Sequence, residues 1–312
     1  MKSTVNEHYV KFIQYKSKKN TKDLIFQLTS IRNRGKISPN IYGETHMNIH
    51  EYTYLDENEK PLDCIVSDGG MCSVFRSICC IGDSLSSGEF ELIQNDGTKG
   101  YYDIFDYSWG QYLARSCGAK VYNFSRGGMT AKEYMESFAE NKGFWSEELL
   151  CQAYIIALGV NDIYGLKMAI GTKDDVCLEN FENNKDTLAG WYARIIQKIK
   201  RMQPKAKFFL VTMPKESKGN EPEKLAFAEL LDDFAKIFDN TYVIDLYKYA
   251  PIYDEKFKER FFLGGHMTPA GYIYTAKVIG SYIDYIVRHD YGSFKEIAFT
   301  DAREDYGKYR IC

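Results

Sequence analysis

Five short apolar runs, each followed by an amphipathic stretch of helix length, constrain the fold of this 312-residue chain more than any other feature. They are Val74 to Ile81, Lys120 to Ser125, Ala153 to Leu158, Lys207 to Thr212 and Thr241 to Asp245. Turn formers stop the first four at Gly82, Gly127, Gly159 and Pro214. Runs this short, rich in β-branched and aromatic residues, read as strands buried on both faces. Between them, Ile104 to Leu113, Thr130 to Phe138, Leu188 to Ile199 and Leu225 to Phe238 carry helical spacing; the first of these predicts a helix from about Asp103 to Cys117. The last helix starts at Thr268-Pro269, a capping residue followed by proline at the first position. Strands alternating with helices form a parallel sheet covered on both sides, and right-handed crossovers bring all strand ends to one edge. The expectation is an α/β fold, a three-layer sandwich around a five-stranded parallel sheet.

That pattern occupies residues 73–291. Residues 1–72 read as an N-terminal extension. Tyr9, Phe12 and Ile13, and then Leu24 to Ile31 behind Thr21, suggest short helices. Glu51 to Leu55 and Leu62 to Val66 suggest a β-hairpin around a polar loop. Residues 292–312 read as a charged tail over the surface.

The formal net charge is −3 with no long basic run, which argues against nucleic acid or an anionic membrane as the main partner. No apolar run approaches the length of a membrane span. The N-terminus lacks the apolar core of a secretory leader, so the expected location is the cytoplasm. The eight cysteines are irregularly spaced and form no CxxC. Cys79 and Cys80 are adjacent within a strand, so their side chains point to opposite faces, and the set reads as buried thiols. His46 and His50 have i, i+4 spacing, but the surrounding sequence is not helical and no third ligand completes a site; no metal or cofactor is expected. Trp109, Trp145, Tyr164 and Trp191 are candidates for a sugar platform, although core packing explains each as well.

The chemistry gathers at the strand ends. Gly82-Asp83-Ser84 follows the first strand, Asn123-Phe-Ser-Arg-Gly127-Gly128-Met-Thr130 the second, and Gly159-Val-Asn161-Asp162 the third. Gly264-Gly265-His266 comes just before the last helix. Taken alone, each block has an ordinary structural explanation: a turn, a loop, a helix cap, a surface histidine. Together, on one rim, they supply what acyl transfer needs. Ser84 is a hydroxyl nucleophile that requires a base, and His266, with an ordinary pKa near neutrality, is the natural one. The tetrahedral intermediate needs fixed donors for its oxyanion, available from a glycine amide after the second strand, the Asn161 carboxamide and the Ser84 amide.

These blocks resemble the SGNH hydrolases of the GDSL esterase and lipase superfamily, over about residues 73 to 290. The resemblance implies a flavodoxin-like three-layer sandwich, with Ser84 as nucleophile, Gly128 and Asn161 as oxyanion donors and His266 as base. Gly128 is preferred to Gly127 because Asn123-x-x-x-x-Gly-x-Thr keeps the family spacing. One departure stands out. The family usually carries Asp three residues before the histidine, and here that position is Leu263. The acid that would orient the imidazole is absent from its usual place, which leaves a Ser-His dyad held by a backbone carbonyl, or Asp245 at the end of the fifth strand, as alternatives.

The function this implies is a serine esterase acting on a small carboxylic ester, with a short-acyl ester of a carbohydrate or oligosaccharide as the favoured substrate. The same dyad would serve an acyltransferase, and loss of the acid would suit a non-catalytic carbohydrate-binding relative. A nucleotide-binding role is disfavoured because the loop after the first strand has no glycine-rich phosphate cradle.

Overall fold

In the computed structural model, which describes Asp56 and residues 58–217 and 221–300, the first apolar run forms β1 (Ser77–Gly82). It begins later than Val74 because Gly70–Val74 winds into a 3-10 turn. Asp83 then caps a one-turn helix, α1 (Ser84–Ser87). An antiparallel hairpin follows, β2 (Glu89–Ile93) and β3 (Lys99–Asp103). Asp103 thus closes a hairpin instead of opening a helix. The helix, α2 (Trp109–Cys117), starts only after Ser108, whose hydroxyl accepts the Gln111 N–H at 3.2 Å.

Next come β4 (Lys120–Asn123) and α3 (residues 131–141), widened to a π turn over Tyr134–Phe138. They are followed by β5 (Ala153–Ala157), α4 (Leu188–Met202), β6 (Lys207–Val211), α5 (Pro222–Ile237) and β7 (Thr241–Ile244). Two short helices, α6 (Leu246–Tyr249) and α7 (Glu255–Phe261), lead to the minimal hairpin β8 (Phe262–Leu263) and β9 (His266–Met267), and then to α8 (Pro269–His289).

The five apolar strands pair in parallel in the order β4-β1-β5-β6-β7. This is a doubly wound sheet whose order reverses at β1 and β5, and such sheets open a crevice beyond the strand ends at that switch point. Alternate residues of each strand feed two cores. Cys79, Ile81, Tyr154, Ile156, Phe208 and Leu210 pack beneath α3, α4 and α5. Ile78, Cys80, Ala153, Ile155 and Phe209 pack beneath α2 and α8. The architecture is therefore the expected three-layer α/β/α sandwich, and Cys79 and Cys80 do point to opposite faces.

At the margins, residues 62–64 form a turn and a bend and 65–66 are irregular, not the second strand of a hairpin. Leu62 has φ 70°, which breaks an extended run. This segment is tied to α8, where Val66 N donates to Ser281 Oγ at 2.9 Å and Arg288 pairs with Glu59 and Asp284. Beyond α8, Phe294 and Ile297 are buried against the second core. The short helices read before residue 32, the strand over residues 51–55, the His46–His50 pair and residues 301–312 lie outside the described residues. Among the described residues, no helix is long and apolar enough to cross a membrane.

Candidate active site

At the strand ends the loop after β1 meets the loop after β4, where the Arg126 N–H donates to the Gly82 carbonyl at 3.3 Å, and α1 lies against β9. Ser84 is the first residue of α1. The Asp83 carboxylate accepts the Leu85 N–H at 3.1 Å, and the Asp83 carbonyl accepts the amides of Ser86 and Ser87. The turn is tight enough that a Cβ on Gly82 would overlap the Ser86 hydroxyl. Ser84 is half-buried, and its Oγ makes no hydrogen bond among the described residues.

Asp83 is buried, and burial raises its carboxyl from 3.8 to about 7. The Leu85 amide pulls the value down, and the negative charge of Asp162 pushes it up. An acid held more tightly protonated in the fold than in the unfolded chain stabilises the fold at low pH. That contribution is complete below 3.8 and is lost as pH rises through about 7. Asp83→Asn keeps an acceptor for Leu85 and removes the titration. Urea unfolding at a series of pH values is expected to give a flatter stability profile for the variant across this interval, by on the order of 3–4 kcal/mol. Parallel profiles for the two proteins would show that another group is responsible.

The loop after β4 is anchored at each end. Asn123 Oδ1 accepts the Ser125 N–H at 3.0 Å, Ser125 Oγ donates to the Cys80 carbonyl at 3.0 Å, and Thr130 Oγ1 caps α3. Gly128 lies between them with φ 71°, a conformation glycine adopts without strain, and open space lies where its side chain would be. The loop after β5 holds this one in place. Asn161 Nδ2 donates to the Met129 carbonyl at 3.1 Å, and the buried Asp162 carboxylate accepts the Ala131 N–H with both oxygens at 3.0 Å. Burial raises the Asp162 carboxyl above its usual range, and the Ala131 amide opposes that. A carboxamide nitrogen carries two hydrogens, so Asn161 retains one after bonding Met129.

His266 stands on β9, next to α1 and β2. Leu263 is its cross-strand partner on β8 and is half-exposed, so this position offers the imidazole no polar side chain. Asp245 is occupied elsewhere. It accepts the Lys248 N–H at 3.0 Å and the Thr212 hydroxyl at 3.2 Å, the local capping role. The groups that face the imidazole come instead from the β2–β3 hairpin. Glu89 Oε1 lies 2.9 Å from Nε2, Glu91 Oε2 lies 3.9 Å from Nδ1, and the Tyr101 ring meets the imidazole edge-on at 5.6 Å. Glu91 also pairs with Lys99 at 2.6 Å and accepts the Gly265 N–H at 2.9 Å. Lys99, followed by the Gly265 amide, holds the Glu91 carboxyl below its ordinary range. Burial raises that of Glu89, against the opposing pull of His266.

Sequence reasoning missed this hairpin. Its signal is the alternation Glu89-Phe-Glu-Leu-Ile followed by Asp96-Gly97, where Gly97 takes φ 82° in the loop. Of the aromatic candidates, Trp109 and Trp191 are core residues, Trp145 is half-buried and Tyr164 is exposed. Among the described residues no cluster of His, Cys, Asp and Glu has the makings of a metal site.

A serine turn after β1, a glycine-bearing loop after β4, an asparagine after β5 and a histidine before α8, carried on a doubly wound parallel sheet, suit an SGNH-type hydrolase. The sequence model of the GDSL-like lipase/acylhydrolase family matches residues 80–273, more than half of the chain, and the chain belongs to that family. No curated protein matches it. Solved structures to which the chain is similar include three esterases. The family two carbohydrate esterase of Clostridium thermocellum with cellohexaose is 14% identical over 70% of this chain and 65% of its own, with a TM-score of 0.47. Est24, a carbohydrate acetylesterase of Sinorhizobium meliloti, is 13% identical over 68% of this chain and 99% of its own, with a TM-score of 0.46. The Clostridium thermocellum family 3 carbohydrate esterase is 15% identical over 68% and 97%, with a TM-score of 0.43. Likeness at this level bears on neither substrate nor mechanism.

Proposed function

We propose that the protein is a serine esterase that cleaves a short-acyl ester, with an acetylated carbohydrate as the favoured substrate, through an acyl-enzyme on Ser84. The carrying observation is the hydrogen bond from Asn161 to Met129, which locks the loops after β4 and β5 together and leaves one carboxamide hydrogen free. Ser84 Oγ attacks the ester carbonyl and its proton passes to His266. The Gly128 amide, the free Asn161 hydrogen and the Ser84 amide take the negative charge on the former carbonyl oxygen. The tetrahedral intermediate collapses, the proton moves from His266 to the departing alcohol, and the acyl group stays on Ser84. A water molecule then gives a proton to His266 and its oxygen to the acyl carbon, which releases the acid and restores the serine.

A carbohydrate alcohol is supported by the rim of the site. Tyr101 touches the imidazole yet is 53% exposed, so a flat ring face is open to a sugar beside the base. Labelling with a fluorophosphonate followed by peptide mapping tests the mechanism, with the label expected on Ser84. Rates on p-nitrophenyl esters of increasing acyl length, and on acetylated sugars, test the substrate. The expected profile falls steeply beyond acetyl and includes acetate release from the sugars. Failure to label Ser84 would overturn the mechanism, and a preference for long acyl chains would overturn the substrate assignment.

A further inference from the structure

We propose that Glu91, on the β2–β3 hairpin, is the positioning acid of His266: it stands on the Nδ1 side of the imidazole and takes the place of the aspartate absent at Leu263. The inference rests on the Ser84–His266 reading above and adds the group that backs the base.

Four observations converge on Glu91. Nδ1 of His266 is buried without a hydrogen-bond partner among the described residues, and Glu91 Oε2 faces it at 3.9 Å. That separation is longer than a hydrogen bond, yet it is within the range at which a carboxylate favours the charged imidazolium. The turn before the histidine is also shaped around this carboxylate. The Gly265 N–H donates to Oε2 at 2.9 Å, and Gly264, with φ 63°, stands where a Cβ would overlap the carboxylate. The same two-residue turn joins Leu263 to His266, so Glu91 docks beside the very position that lacks an acid. Glu91 is moreover held in its charged form. Lys99 donates to Oε1 at 2.6 Å and, with the Gly265 amide, keeps the carboxyl below its ordinary range, whereas burial pushes Glu89 the other way. Finally, Glu91 is the cross-strand neighbour of Tyr101, whose ring meets the imidazole edge-on at 5.6 Å, so one rung of the hairpin bears on the histidine.

The other nitrogen is turned toward the glycine-bearing loop. Glu89 Oε1 lies 2.9 Å from Nε2, and Glu89 Oε2 fills the space that a Cβ on Gly127 would need. Nε2 therefore looks across the Glu89 carboxylate toward Gly127 and Gly128, and Nδ1 looks toward Glu91. On the proposed mechanism Nε2 takes the Ser84 proton once Glu89 gives it up, and returns that proton to the departing alcohol. Nδ1 keeps its own hydrogen throughout, and Glu91 stays ionised beside the imidazolium. The charged and titratable groups around the imidazole are Glu89 and Glu91 from β2 and Tyr101 from β3. Lys99 lies on Glu91, Asp103 is opposite Glu89, and Asp83 is near enough to Glu89 for their charges to interact.

The test compares Glu91→Gln, Glu91→Asp, Glu89→Gln and Ser84→Ala with the wild type on p-nitrophenyl acetate across pH. Glu91→Gln keeps an acceptor for the Gly265 amide, so the turn should survive. It is expected to lower kcat at least about tenfold with little change in KM. The acid limb of its kcat/KM profile should move to lower pH by on the order of one unit, because the imidazolium loses its counter-charge. Glu91→Asp keeps the charge; it should recover part of the rate and leave the limb near that of the wild type. A readout independent of turnover is the NMR titration of the His266 ring, which should move to lower pH in Glu91→Gln by the same amount. Wild-type kcat with an unmoved limb and ring titration in Glu91→Gln would overturn the proposal. So would a loss of rate with no movement of either, since that is the mark of a brace for the turn. A loss confined to Glu89→Gln would give the role to Glu89 and refute the assignment. If Ser84→Ala is inactive while Glu91→Gln is normal, only the role of Glu91 falls; an active Ser84→Ala would remove the reading beneath it.

Discussion

Ser84→Ala is expected to lower kcat on p-nitrophenyl acetate by on the order of 10⁴–10⁶ while leaving the fold intact. The size follows from what the substitution removes. On the proposed mechanism no acyl-enzyme forms without Oγ, and the reaction must proceed by direct attack of water in the same site. Oxyanion donors and substrate positioning remain, so a residual acceleration over solution of about 10³–10⁴ should survive. The structure also separates this loss from unfolding. Ser84 Oγ makes no hydrogen bond among the described residues, and the turn around it is held by Asp83 through the Leu85, Ser86 and Ser87 amides. The urea midpoint should therefore stay close to that of the wild type, and activity and stability can be read from one preparation. A folded Ser84→Ala protein with wild-type turnover would mean that the chemistry uses another group.

Asn161→Ala is expected to cost on the order of 10²–10³ in kcat with KM nearly unchanged, the signature of a donor whose bond matters chiefly in the transition state. A structural component accompanies it. The carboxamide also bonds the Met129 carbonyl, and losing that bond should reduce stability by about 1 kcal/mol. The two effects are separable because Asp162 independently ties the same loops together through the Ala131 amide. The oxyanion loop should keep its position without Asn161, which can be checked by comparing fluorophosphonate labelling rates with kcat. If kcat is retained and only stability falls, Asn161 is a brace between loops and not a donor.

Which features were legible in the sequence follows from the range of the interactions that encode them. The β1 run, the Thr130 cap, the Thr268-Pro269 start of α8 and the spacing of Leu188 to Ile199 are written in residues close together along the chain. Local propensity and burial on both faces agree there, so the pattern reports the element. The ends of elements were less legible. Asp103 sits between hairpin and helix signals, and the strand ladder with Glu89, together with the cap at Ser108, decides the matter. Leu62 to Val66 looked like a strand from composition, yet no neighbouring strand pairs with it among the described residues, and its amide bonds go to turns and to α8.

The sequence by itself determined the parallel sheet and the edge at which its loops gather, and it nominated the candidates there: Ser84, Gly128, Asn161 and His266. That much follows from the strand–helix alternation, because right-handed crossovers leave the chain little choice about which edge the strand ends share. What faces His266 was decided only by the tertiary structure. Glu89 is 177 residues from the histidine along the chain, and two carboxylates in EFELI look like the solvent face of an ordinary strand. They reach the imidazole because the hairpin folds back over the crevice, pinned by the Tyr272 hydroxyl and the Gly265 amide. A contact between distant segments leaves no periodicity in sequence; it exists only once burial of the sheet has brought the two segments together.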